Sequence, residues 1–87
     1  VVRLLSIRVT LLYFGQARDA SGKGDQKFSL PPGSTVDALV NLATDKHSKL
    51  KRMKGSMQVA LNEEMAKGDE LLEDGDVVAL LPPVAGG

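Results

Sequence analysis

The residues with the strongest claim to chemistry are the last ones. The sequence closes "ALLPPVAGG", residues 79–87. Pro82 and Pro83 each fix φ and remove a backbone donor, so a strand that runs into them cannot go on pairing. Gly86 and Gly87 have no side chains and can enter a channel that would reject any larger residue. Such a channel makes sense if the carboxylate of Gly87 must reach a reactive centre. A carboxylate is a poor electrophile. To acylate anything it must first be converted, for instance to a mixed anhydride with AMP, and glycine supplies none of that chemistry. A partner enzyme must. Residues 82–87 are therefore expected to be a flexible tail held away from the folded body, with Gly87 as its reactive end.

Other candidates carry less. The chain has no cysteine, hence no disulfide, zinc thiolate or thiol nucleophile of its own. That suits a reducing cytoplasm, the expected location. His47 is the only histidine; with no nucleophile or acid partner in pattern, it reads as a surface residue at a helix end. "KHSKLKRMK" (46–54) lacks the interleaved aromatics of a base-stacking surface and reads as a solvated face. "EDGD" (73–76) is not the spaced oxygen-ligand loop of a calcium site and reads as a turn. "GKGD" (22–25) is not a phosphate loop, because Ala17 stands where the first glycine is needed and Asp25 follows in place of Ser or Thr. No metal site is expected, and the chain alone does not read as an enzyme. Its formal charge of zero argues against strong non-specific attraction to nucleic acid or membrane. No apolar run approaches the roughly 20 residues of a membrane span, and "VVRLLSIRV" is too short and charged for a secretory signal.

Eighty-seven residues, 43% of them apolar, allow one folded domain, expected over 1–87. Residues 7–14 alternate as a strand, with Ile7, Val9, Leu11 and Tyr13 on one face and Arg8, Thr10, Leu12 and Phe14 on the other. "GQARDASGKGD" (15–25) reads as a long connection to a second strand, 26–30, with Phe28 and Leu30 in phase. Ser34 or Thr35 can cap a helix in which Val36, Leu39, Val40 and Ala43 share one face; the segment is expected to run on to Gly55. "MQVAL" (57–61) is a third strand, 62–76 is polar and turn-rich, and "VVALL" (77–81) is the last strand. Strand, strand, helix, strand, strand predicts an α+β β-grasp, or ubiquitin-like, fold: a mixed sheet with one main helix packed on one face. One helix covers one face, so Phe14 and Leu81 are expected to lie on the other, near Met65, as a contact patch.

With these residues in view, the chain resembles the MoaD family, the small sulfur-carrying subunit of molybdopterin synthase. The resemblance runs from about residue 7 to the end and is carried by "LLYFGQARD", "LPPGSTVDALV", "VALNEE" and above all "LLEDGDVVALLPPVAGG". It implies that an E1-like (MoeB-like) adenylyltransferase uses ATP to adenylate Gly87, that sulfur transfer then gives a thiocarboxylate, and that this chain binds no cofactor itself. It implies docking with a MoaE-like large subunit in a heterotetramer, where sulfur passes to cyclic pyranopterin monophosphate. By position it gives Phe14, Met65 and Leu81 partner contacts, and makes Pro82, Pro83, Val84, Ala85 and Gly86 the inserted tail. Ala85 departs from the family's frequent Thr or Ser. Two other roles share the same acyl end: a protein modifier conjugated through Gly87, and a sulfur carrier for thiamine thiazole synthesis. Adding a residue after Gly87 separates all of these from a plain binding module.

Overall fold

The computed structural model describes residues 5–82. The expected tail residues Pro83, Val84, Ala85, Gly86 and Gly87 lie outside that range. Alternation drives the sheet. Its strands are β1 (Ile7–Tyr13), β2 (Asp25–Leu30), β3 (Gln58–Leu61), β4 (Glu64–Met65) and β5 (Val77–Leu81), in the order β2-β1-β5-β3-β4. β1 and β5 run parallel; the other neighbours are antiparallel. Ile7, Val9, Leu11 and Tyr13 all turn inward with Phe28, Leu30, Val78 and Leu80, as period-two patterning requires.

Three helices lie across this face: α1 (Gly15–Ser21), α2 (Val36–Lys46) and α3 (Ser48–Met53), the last followed by a single 3₁₀ turn, Lys54–Ser56. α2 is the main one. Its Val36, Leu39, Val40 and Ala43 are all buried, a 3.6-period stripe set on the sheet. The open N–H groups of its first turn are all accounted for. Thr35, not Ser34, is the cap, and its Oγ1 accepts from the Ala38 N–H at 3.2 Å. Val36 and Asp37 donate to the Glu70 and Gly68 carbonyls at 3.0 and 2.9 Å, and Leu39 donates to the Thr35 carbonyl. The loop 66–72 thus serves as the helix's second cap.

The structure departs from the expected elements in three places. Residues 15–21 are helical rather than part of a loop. Ala17 is fully buried and Ser21 nearly so, four residues apart on one face, and Gly22 closes the helix at φ +74 with its N–H on the Arg18 carbonyl. The main helix stops at Lys46 instead of reaching Gly55, because His47 is extended (φ −132, ψ 103). The break lets Leu50 of α3 bury completely. It also sets the His47 ring edge-on to Tyr13, centroids 6.2 Å apart at 83°. His47 does stand at a helix end, but its ring is packed rather than solvated. Its Nε2 is the one buried side-chain polar atom among the described residues without a hydrogen-bond partner. Finally, 64–65 form the short strand β4 inside a stretch read as polar and turn-rich.

Tyr13 ends the buried stripe, and its hydroxyl donates to Gln26 Oε1 at 2.9 Å. Burial pushes the phenol above its ordinary value of 10.0. Above pH 10 the unfolded chain therefore loses this proton while the folded chain still holds it. Stability from this group is whole below pH 10 and falls as pH rises through the folded value. Urea titrations of the wild type and Tyr13→Phe should run parallel up to that pH, offset by about 1 kcal/mol for the hydrogen bond. They should converge above it.

Candidate functional site

The sheet face away from the helices carries Arg8, Thr10 and Leu12 of β1, Val77, Ala79 and Leu81 of β5, and Ala60 of β3. Register decides its shape. Leu12 pairs with Ala79, Ala79 with Ala60, and Ala60 with Met65. One straight row therefore crosses four strands with two alanines between two large side chains. At about 4.8 Å per strand, the ends of the row stand roughly 14 Å apart. The alanines leave a trough, and Phe14, Val77 and Leu81 raise its sides. The result is an apolar groove of about 570 Å³.

Phe14 and Leu81, placed outward by sequence phase, and Met65, expected near them, all line this one groove. Phe14 is 47% exposed and Met65 60%, while Leu81 is partly buried. Two large side chains so open to water beside a third form a patch of the kind that marks a contact surface. Sequence reading missed the floor. Ala60 and Ala79 look unremarkable until strand pairing aligns them, and pairing register is not written in either residue.

The rim is set by a tight turn. Asn62 and Glu63 link β3 to β4 and both take positive φ, +51 and +73, the pattern of a two-residue type I′ hairpin. Asn62 suits it and also pins the turn to β5. Its N–H donates to the Val77 carbonyl at 2.8 Å, its Oδ1 accepts from the Val77 N–H at 2.9 Å, and its Nδ2 donates to Asp76 Oδ1 at 3.0 Å. Glu63 has no such compensation among the described residues and carries the cost of a left-handed backbone. Glu63→Gly is therefore expected to raise stability by about 0.5–1 kcal/mol in chemical denaturation.

The carboxylates of the acidic turn are occupied with backbone N–H groups of β1 and of the turn itself. Asp74 Oδ1 accepts from the Arg8 N–H at 2.7 Å, and Asp76 Oδ2 from the Glu73 N–H at 2.7 Å. These bonds close the turn before β5 and so fix where the groove strand begins. The basic stretch lies on the helical side. Lys46 rests its ammonium over the Phe28 ring at 5.4 Å, exposed Lys51 and Asp45 pair at 3.7 Å, and Lys54 Nζ donates to Asn41. No described helix is long and apolar enough to cross a membrane.

β5 leads from the groove directly into Pro82. The last two groove residues among those described and the first residue of the expected tail are consecutive but for Leu80, which turns into the core. Whatever docks on this face meets the root of the C-terminal segment.

The ThiS family model matches residues 11–87. A molybdopterin synthase sulfur carrier subunit of Mycobacterium tuberculosis is 35% identical over 82 residues, covering 93% of this chain and 99% of its own length. Among solved structures, molybdopterin converting factor subunit 1 of Pyrococcus furiosus superposes with a TM-score of 0.82 at 31% identity, covering 91% of this chain and all of its own. A complex of subunits 1 and 2 of the molybdopterin-converting factor of Helicobacter pylori contains a chain that superposes at 0.67, with 27% identity over 93% of this chain and all of its own.

Proposed function

The chain belongs to the ThiS family, and from that premise we propose that it is a sulfur carrier for molybdopterin synthesis, charged at Gly87 and working in the cytoplasm. The observation that carries the reading is the apolar groove of Phe14, Met65 and Leu81 placed at the root of a segment whose sequence ends Gly86-Gly87. The near full-length match to a sulfur carrier subunit supports it.

In this reading an E1-like adenylyltransferase grips the groove. The Gly87 carboxylate attacks the α-phosphate of ATP, giving an acyl adenylate and releasing pyrophosphate. A sulfur nucleophile then adds to the acyl carbon and AMP leaves, so that one carboxylate oxygen departs with the phosphate and sulfur takes its place. The ATP belongs to the activating enzyme, and this chain contributes only the acyl group and its delivery.

The charged carrier then docks by the same groove on a large subunit, in a heterotetramer of two small and two large chains; the paired subunits of the Helicobacter pylori factor support a large-subunit partner. Pro82 to Gly86 thread the tail inward and the thiocarboxylate gives its sulfur to cyclic pyranopterin monophosphate. A dithiolene has two sulfurs, so two carriers are consumed per product. The experiment is reconstitution: charged chain, large subunit and the pterin precursor should yield molybdopterin with that stoichiometry. Charged chain that leaves the precursor untouched, beside a competent control carrier, contradicts the assignment to this product.

A further inference from the structure

The backbone just past β1 meets the backbone just past β5. Phe14 is still extended (φ −116, ψ 151), and its N–H donates to the Leu80 carbonyl at 3.3 Å. This bond belongs to the Tyr13–Leu80 pair, which closes the parallel pairing of β1 with β5. At Gly15 the chain swings to φ +51 and enters α1. A Cβ at this position would stand 3.1 Å from Pro82 Cγ and 3.9 Å from Pro82 Cδ, and Pro82 is the one residue it would meet among those described outside the local chain.

We infer that Gly15 is a positioning residue: the Pro82 ring takes the space that its missing Cβ leaves open, so Gly15 is a shoulder for that ring, and this close approach sets the direction in which the chain leaves β5. The inference rests on the sulfur-carrier reading, in which the residues after Pro82 must reach a reactive centre held by a partner. Three features support it. The shoulder is rigid, because α1 is anchored by buried Ala17 and Ser21 and closed by the Gly22–Arg18 bond at 2.9 Å. Pro82 is only partly buried, so its approach to Gly15 adds direction more than stability. Shoulder and groove also share one piece of chain: Phe14 precedes Gly15, and Leu81 precedes Pro82. A partner that clasps Phe14 and Leu81 thereby fixes the shoulder, and with it the exit of the tail, relative to its own active site. An L side chain at residue 15 is strained at this φ and directed into the proline ring.

The test is a double-mutant cycle on charging, read as the mass gain of the chain with its E1-like enzyme, ATP and a sulfur source. Gly15→Ala should lower kcat at least about tenfold, since small misplacements of a reacting group are costly, while KM for the carrier moves less than about threefold. Pro82→Ala removes Cγ from the other side and keeps the core, so it reads the same contact even if the glycine variant folds poorly. Its kcat should fall as well, and the double variant should be no slower than the worse single one, because both break one contact. Melting curves separate the backbone strain of Gly15→Ala, which lowers the midpoint, from the loss of direction, which does not. Additive losses, an effect on KM alone, or unchanged kcat overturns the shoulder while the carrier reading stands. A wild-type chain that gains no mass beside a competent control overturns the carrier reading, and the shoulder with it.

Discussion

A chain lacking Gly86 and Gly87 is expected to fold as the intact chain does and to gain no sulfur at all. Among the described residues the buried cluster runs from Ile7 to Leu80 and the last strand closes at Leu81, so the deletion is expected to change stability by no more than about 0.5 kcal/mol. Charging is different in kind. The acyl carbon that must be activated is that of Gly87, and a chain ending at Ala85 presents its carboxylate two residues short, on a residue with a side chain. One extra residue after Gly87 should be equally fatal, for the converse reason. Thermal melting and intact mass on the same samples check both halves. A large fall in midpoint contradicts a tail outside the core. Full charging of either variant contradicts Gly87 as the reactive end.

Leu81→Glu is expected to leave the fold standing and to weaken both partner complexes by about 30-fold or more. Leu81 lies on the open face opposite Gln58 of β3, out of phase with the buried Val78 and Leu80, so the carboxylate faces water in the free chain and costs little there. In a complex it would be desolvated among Phe14, Met65 and whatever apolar group fills the trough between them. A charge so placed costs at least about 2 kcal/mol, which is the stated loss in affinity. Titration calorimetry with the large subunit and with the activating enzyme measures it. Unchanged affinity for both removes Leu81 from the interface and returns the groove to ordinary surface.

The parts legible in the sequence are those that repeat along the chain. Period-two alternation placed the inward stripe of β1 and the outward phase of Phe14 and Leu81. The stripe Val36, Leu39, Val40 and Ala43 placed α2, and Thr35 was one of two caps in view. What escaped was too short to repeat, or depended on contacts between distant segments. α1 has seven residues with Ala17 and Ser21 as its buried pair, too few to show a period beside Gly22 and Gly24. The helix break at His47 carries no glycine or proline; it exists because a ring packs on Tyr13 and Leu50 must reach the core. β4 is two residues long, and Glu63 hides its turn by taking a backbone conformation that glycine or asparagine would have advertised. The groove divides in the same way. Its walls were readable from phase, but its floor needed the register that aligns Ala60 with Ala79. The close approach of Pro82 to Gly15 brings together residues far apart in sequence and has no local signature.

The central claim is that Gly87 is an acyl group made to carry sulfur. Intact mass after incubation with the E1-like enzyme, ATP and a sulfur source tests it most directly. The account predicts a gain of about 16 Da, one oxygen exchanged for sulfur at the activated end, lost when Gly86 and Gly87 are removed. No gain beside a control carrier that charges under the same conditions contradicts it, and conjugates of this chain on protein lysines would then point to the modifier role instead.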